Sequence, residues 1–194
     1  MGELGRARAL LLDRDGVINI DHGYVHTRDQ FEFRPGIVKL TRLAQDLGYR
    51  VIVITNQSGI ARGYYTEAQF CDLTAWMRGE FARRGADIAA VYHCPYHRAG
   101  TGNGFDRDSF WRKPNPGMIL EAAGAFGLHL GRSIFLGDQP TDMAAARAAA
   151  VGIRVLLGQA GTQAGAAADA DLVVSEIDEF TRRLPPLAAL TCRD

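Results

Sequence analysis

Short apolar runs without polar alternation recur along the chain. Each is followed by a polar stretch and then by apolar residues at helical spacing. Ala9-Leu10-Leu11-Leu12 is the first run and Arg50–Thr55, rich in β-branched residues, the second. Ile88–Tyr92, Ser133–Gly137, Ile153–Leu157 and Leu172–Val174 follow. Runs of this kind suit parallel strands covered on both faces. Between them lie helices. Pro35-Gly36 opens one whose stripe is Ile37, Leu40, Leu43, Ala44 and Leu47, with Gly48 as its stop. Thr66 and Gln69 form a capping box ahead of a stripe of Phe70, Leu73, Met77 and Phe81. That stripe reads as core, and Cys71 beside it as a packing residue. Pro116-Gly117 starts a helix that runs to about Gly127, and Pro140 an alanine-rich helix to Ala150. The alternation predicts an α/β fold: a Rossmann-like, doubly wound parallel sheet with helices on both faces and right-handed crossovers.

Four stretches break the pattern. Asn19–Arg34 is a polar loop, and His93–Asn115 is long, polar and aperiodic, as functional loops often are. Gln159–Asp169 is Gly/Ala-rich and reads as a mobile loop, and the tail from Thr191 as frayed. The interval from Val17 to Arg50 holds one loop and one helix, so no large cap domain is expected. The 194 residues suit a single domain over 1–194, with its core over 7–184.

Composition narrows the class. With 47% hydrophobic residues the chain can bury a sizeable core. Its 22 basic and 22 acidic side chains cancel, which gives no support to a nucleic-acid or anionic-membrane partner. Cys71, Cys94 and Cys192 are odd in number and far apart, which fits a reducing compartment better than a disulfide framework. No signal-type pattern follows the first residues, and the Leu10–Leu12 run is too short to span a bilayer. A cytoplasmic monomer acting on a small molecule is expected.

The candidate chemistry lies where the strands end. Strand one ends in Asp13 and Asp15, strand two in Thr55 and Asn56, and strand four in Asp138, with Asp142 four residues on. Arg112 and Lys113 precede a Pro-Asn-Pro turn in the long loop. A parallel sheet gathers these carboxyl ends on one edge. Taken singly, each has a plainer role: Thr55 could cap a strand, Lys113 could be a solvated surface lysine, and Asp138 and Asp142 could be helix N-terminal acids. Together they suit phosphoryl transfer. A phosphate monoester is a dianion, and a carboxylate nucleophile needs that charge neutralised before it can approach. Mg²⁺ on Asp13 and Asp138, aided by Lys113, can do so. Asp13 can then attack phosphorus, and Asp15 can protonate the leaving alkoxide and later activate water.

The series Asp13-Arg14-Asp15-Gly16, Ile54-Thr55-Asn56, Lys113 and Gly137-Asp138-Gln139-Pro140-Thr141-Asp142 resembles the four motifs of the haloacid dehalogenase superfamily of phosphohydrolases. The resemblance covers Ala9 to Leu157. It implies Asp13 as nucleophile and Asp15 as general acid/base. It implies Mg²⁺ on Asp13, Asp138 and the Asp15 carbonyl, with Asp142 supporting them, and Thr55 and Lys113 on the transferring phosphoryl group. Asp21-His22-Gly23-Tyr24, Asn56-Gln57-Ser58 and Arg112 before Lys113 sharpen it. They resemble the D-glycero-D-manno-heptose 1,7-bisphosphate 7-phosphatases, sisters of the histidinol-phosphate phosphatases. That resemblance implies substrate contacts at Asp21, His22, Gly23, Tyr24, Asn56, Gln57, Ser58 and Arg112. Because Arg112 neighbours Lys113 but is not part of the superfamily motif, it is expected on the phosphate that is not transferred. Histidinol phosphate is the rival substrate. A non-catalytic phosphosugar-binding module is the rival of another class, disfavoured because both Asp13 and Asp15 are intact.

Two features depart from that pattern. Many members hold zinc in the long loop, but here Tyr96, Ser109 and Trp111 stand at ligand positions and only Cys94 remains. One thiolate with His93 and His97 falls short of a structural site, so zinc is not expected. Packing of Phe110 or Trp111 against the domain is expected to hold the loop instead. Gln139 stands where the family often has Lys.

Overall fold

Strand β1 (Arg8–Leu12) sends Leu10 and Leu12 into one hydrophobic cluster and Ala9 and Leu11 into another. Its neighbour β2 (Tyr49–Asn56) divides in the same way, with Val51 and Val53 on one face and Ile52 and Ile54 on the other. Both faces are dry, which is why these runs carry no polar alternation. With β3 (Ala90–Cys94), β4 (Ile134–Gly137), β5 (Ile153–Leu157) and β6 (Leu172–Val174) they form one six-stranded sheet in the order β3-β2-β1-β4-β5-β6. All five pairings are parallel. The computed structural model describes residues 7–158 and 169–190. The tail from Thr191 and the expected mobile loop, apart from Asp169, lie outside them.

Helices α1 (Ile37–Asp46), α3 (Glu67–Arg83) and α6 (Ile177–Leu190) cover one face, and α4 (Gly117–Phe126) and α5 (Pro140–Ala148) the other. A single short turn, α2 (Ser58–Ala61), follows β2. Phe70, Leu73, Met77 and Phe81 of α3 are buried as their spacing predicts, and Thr66 and Gln69 make the capping box. Between β1 and β2 there is one loop and α1 and no cap domain. Among the described residues no helix is long and apolar enough to cross a membrane.

Three details differ from the sequence reading. Strand β3 starts and ends two residues later than expected, because its ladder with β2 runs on to Thr55↔His93 and Asn56↔Cys94. His93 and Cys94 are therefore strand residues, not loop. Cys71 is exposed, since it follows Phe70 by a 100° step off the buried stripe. Helix α6 was given no element; Pro185 and Pro186 inside it interrupt the helical pattern. It buries Ile177, Phe180, Leu184 and Ala188 against the α1 side of the core. Because Phe180 is fully buried, Phe180→Ala is expected to cost about 3–5 kcal/mol in urea unfolding. A loss under about 1 kcal/mol would show that α6 is not part of the cooperative core.

Candidate active site

Strand β1 lies between β2 and β4, so the chain changes direction across the sheet at the carboxyl end of β1. Open α/β sheets leave a crevice at such a switch point. The Asp13 N–H completes the ladder by donating to the Leu136 carbonyl at 3.0 Å, which sets the ends of β1 and β4 side by side. Asp13, Asp138 and Asp142 consequently each offer a carboxylate oxygen within 4.8 Å of the others. Gly16 turns the chain away at φ +85°, and a Cβ there would overlap the Asp138 carboxylate. A Cβ on Gly137 would likewise overlap Asp142.

Lys113 enters this cluster from the long loop. Its Nζ lies 2.9 Å from Asp13 Oδ1 and 2.6 Å from Asp142 Oδ1 and donates to the Ile54 carbonyl at 2.9 Å. Asn56 holds the lysine backbone from both sides: its Nδ2 donates to the Lys113 carbonyl, and the Lys113 N–H donates to its Oδ1. Asp142 Oδ2 accepts the Asp138 and Gln139 N–H groups at 3.1 and 3.0 Å. Asp13 Oδ1 also accepts the Arg14 N–H at 2.7 Å, and Oδ2 has no protein donor among the described residues.

Asp15 is held differently. Arg14 donates to it from Nε and Nη2, Asn19 from Nδ2 at 3.1 Å, and Gln57 from Nε2 at 3.0 Å. Arg14 is almost wholly buried and also donates to the Val25 carbonyl, which ties down the loop carrying Asp21 to Tyr24. A cavity of about 360 Å³ opens over this floor. Asp13, Asp15 and Lys113 lie at its base, with Asp21, Gly23, Tyr24, Ser58 and Arg112 around it.

The predicted residues thus converge, with exceptions. His22 does not line the cavity; its ring pairs instead with the exposed Glu32 carboxylate at 3.1 Å. Thr55 is buried, and its Oγ1 accepts from Gln57 at 2.8 Å. The amides of Asn56 and Gln57 are engaged inside the protein, on Lys113 and on Asp15 and Thr55. Arg14, Asn19 and Tyr65 were not picked out from the sequence. Arg14 had a signal, as a cation between two carboxylates; Asn19 and Tyr65 had none, since their partners are set by tertiary contacts.

The long loop is not pinned as expected. Phe110 and Trp111 are 55% and 46% exposed. The Phe110 carbonyl accepts the Gly117 N–H and an edge of its ring touches the start of α4, while the Trp111 indole donates to Glu121, so both rings border α4 without being buried by it. The apolar anchor is Phe105, which packs on Ile60, Tyr65 and Phe70. Polar anchors add to it: Asn103 donates to the Ile60 carbonyl, and Arg107 lies over the Tyr96 ring. Cys94 is buried with a hydrogen bond to Ser109.

Three carboxylates face one ammonium here, an excess of negative charge that a divalent cation fits. Oxygen donors suit a hard cation, and the buried Asp138 Oδ1 has no hydrogen-bond partner. Burial first, and Asp142 second, push the carboxyls of Asp13 and Asp138 up, Asp138 to about 6. Burial opposes the charge on Lys113, but Asp13 and Asp142 more than offset it and raise its pKa. A cation must displace whatever protons the carboxyls hold, so its affinity falls as pH drops through about 6. In thermal-shift titrations the Mg²⁺ midpoint is expected to be at least about tenfold higher at about pH 5 than at about pH 7.5. Equal midpoints would remove these carboxyls from the cation site.

Comparison with known proteins agrees with this geometry. A family model described as HAD-hydrolase-like matches residues 110–180. D-glycero-β-D-manno-heptose-1,7-bisphosphate 7-phosphatase of Yersinia pestis is 42% identical over 91% of this chain and 94% of its own. The α-anomer 7-phosphatase of Burkholderia mallei is 50% identical over 77% and 79%. The crystal structure of D,D-heptose 1,7-bisphosphate phosphatase from B. bronchiseptica, complexed with magnesium and phosphate, superposes with a TM-score of 0.76 at 27% identity, covering 92% of this chain and 98% of that one. With its carboxylate cluster at the switch point and relatives along most of its length, the chain belongs to the heptose-1,7-bisphosphate 7-phosphatase family of haloacid dehalogenase-like hydrolases.

Proposed function

We propose that this chain removes the 7-phosphate from D-glycero-D-manno-heptose 1,7-bisphosphate through an aspartyl phosphate on Asp13. The observation that carries the reading is the cluster of Asp13, Asp138 and Asp142 with Lys113 inside it, at the floor of an open cavity. Mg²⁺ held by Asp13 and Asp138 and by the Asp15 carbonyl would neutralise charge on the incoming phosphate. Lys113 adds positive charge beside it, and the Thr55 hydroxyl, which accepts from Gln57, keeps its own proton to offer.

The oxygen free to attack is Asp13 Oδ2, since Oδ1 is held by Lys113 and the Arg14 N–H. Its attack forms the Asp13–phosphorus bond as the bond from phosphorus to the ester oxygen breaks. Asp15 gives its proton to that leaving oxygen. The Asp15 carboxylate then takes a proton from water, the water oxygen bonds to phosphorus, and Asp13 is released with inorganic phosphate. Asp142 takes no part in bond making; it holds Lys113 and the backbone of Asp138 in place.

Arg112 is half-buried on the cavity wall, with Arg62 beside it, and burial works against the Arg112 charge. Neither is in an ion pair among the described residues, which leaves both for an anion such as the 1-phosphate. Relatives named for the β-anomer and for the α-anomer both match, so both anomers belong in the assay.

Asp13→Asn is expected to abolish turnover and keep the fold, since the amide is nearly isosteric but a poor nucleophile. A loss of about tenfold or less would remove Asp13 from that role. Asp15→Asn is expected to lose about 10²–10⁴-fold on the heptose bisphosphate and far less on an activated aryl phosphate. Equal losses on both would count against Asp15 as the acid.

Arg112→Lys is expected to raise KM for the bisphosphate more than for a monophosphate, because Lys cannot copy a bidentate guanidinium grip. The same shift for both would place Arg112 on the reacting group. Faster turnover of histidinol phosphate than of the heptose bisphosphate would overturn the substrate assignment.

A further inference from the structure

Asp15 depends on a residue that does not touch it. Gln57 is buried and places both amide hydrogens on the site, one on Asp15 Oδ2 at 3.0 Å and one on Thr55 Oγ1 at 2.8 Å. A glutamine amide has nearly the same shape when rotated by half a turn, but its oxygen accepts where its nitrogen donates. Rotated, it would point an acceptor at the Asp15 carboxylate. The nitrogen end meets the Asp15 carboxylate, and the oxygen end is held from behind. Tyr65 Oη donates to Gln57 Oε1 at 2.6 Å.

The Gln57 carbonyl oxygen can only accept, so the phenol proton points at it. Burial raises the phenol pKa to about 12, which keeps that proton in place. The ring is held on both sides. It lies against the Gly59 backbone so closely that a Cβ there would overlap it, and His26 stacks on it at 5.1 Å with planes 6° apart. Tyr65 is itself buried. Its ring reaches the cavity wall, but its hydroxyl is spent inside the protein.

We propose that Tyr65 is a positioning residue: its hydroxyl holds the oxygen end of the Gln57 amide, and the nitrogen end in turn places Asp15 Oδ2. The inference rests on the acid/base role of Asp15 given above. Without the phenol oxygen, Gln57 Oε1 loses its hydrogen-bond donor, and the amide that donates to Asp15 is no longer held from behind.

Tyr65→Phe removes one oxygen and keeps the ring, the His26 stack and the contact with Gly59. On the heptose bisphosphate kcat is expected to fall about tenfold, with KM within about twofold. On para-nitrophenyl phosphate, whose leaving group needs little proton, kcat/KM, which covers only the steps up to the aspartyl phosphate, is expected to stay within about twofold. Adding Tyr65→Phe to Asp15→Asn is expected to cost nothing further, because the effect passes through Asp15. Equal losses on both substrates, a loss confined to KM, or additive losses in the double variant would each overturn the proposal. Should Tyr65→Phe fail to fold by circular dichroism, Gln57→Met interrupts the same link and must give the same split between substrates, or the proposal falls. The two readings separate cleanly. If Asp15→Asn shows the leaving-group split and Tyr65→Phe does not, the positioning role alone fails; if Asp15→Asn lacks the split, the acid role fails and takes this inference with it.

Discussion

The Lys113 ammonium, wedged between Asp13 and Asp142 below the surface, is the contact on which the site depends. A buried charge is tolerated only when it is paired and hydrogen-bonded, and removing one partner of such a pair typically costs about 3–5 kcal/mol. The surrounding chain is arranged to satisfy that condition. Asn56 grips the lysine backbone at the end of β2, and the Ile54 carbonyl takes a third ammonium hydrogen. Asp142 is steadied by two N–H groups at the start of α5, and Gly137 leaves room for it by having no side chain. Three segments far apart in the chain are thereby bound to one atom: the ends of β1 and β2 and the first turn of α5. The long loop has no regular structure across most of its length, yet its Lys113 end is held as firmly as the sheet.

The sequence revealed the fold readily, and for one reason. A parallel sheet covered on both faces needs unbroken apolar strands, and stretches such as Leu10–Leu12 and Ile52–Ile54 have no other stable environment in water. Helix signals were equally local: Thr66 with Gln69, and Gly127 after α4. Helix α6 escaped because Pro185 and Pro186 contradict helical propensity, and burial of Phe180 and Leu184 outweighs them. The charged centre was legible because phosphoryl chemistry demands carboxylates and a cation at strand ends. The groups that orient that centre were not. Tyr65 meets Gln57 only after β2 turns into α2, and Asn19 meets Asp15 only through the turn at Gly16. The misreading of Phe110 and Trp111 has a similar origin. Large apolar residues in a polar loop suggest burial, but Phe110 and Trp111 meet α4 only along one edge, and about half of each stays exposed.

The loop from Asp21 to Tyr24 stands over the site without being a separate domain. Arg14 fastens it at the Val25 carbonyl, and His26 rests on Tyr65, so it is joined to the same residues that organise the floor. A rim fixed in this way has a consequence for which acceptor receives the phosphoryl group. Enzymes that pass phosphate between organic hydroxyls must exclude solvent while the acyl phosphate waits, and they commonly do so by closing a lid. Among the described residues no separate domain closes over the cavity, and an acyl phosphate on Asp13 would stand in reach of water. Competition between water and a second sugar is then decided by concentration, and water wins. The shortness of the chain between β1 and β2 thus selects hydrolysis over transfer before any particular side chain is considered.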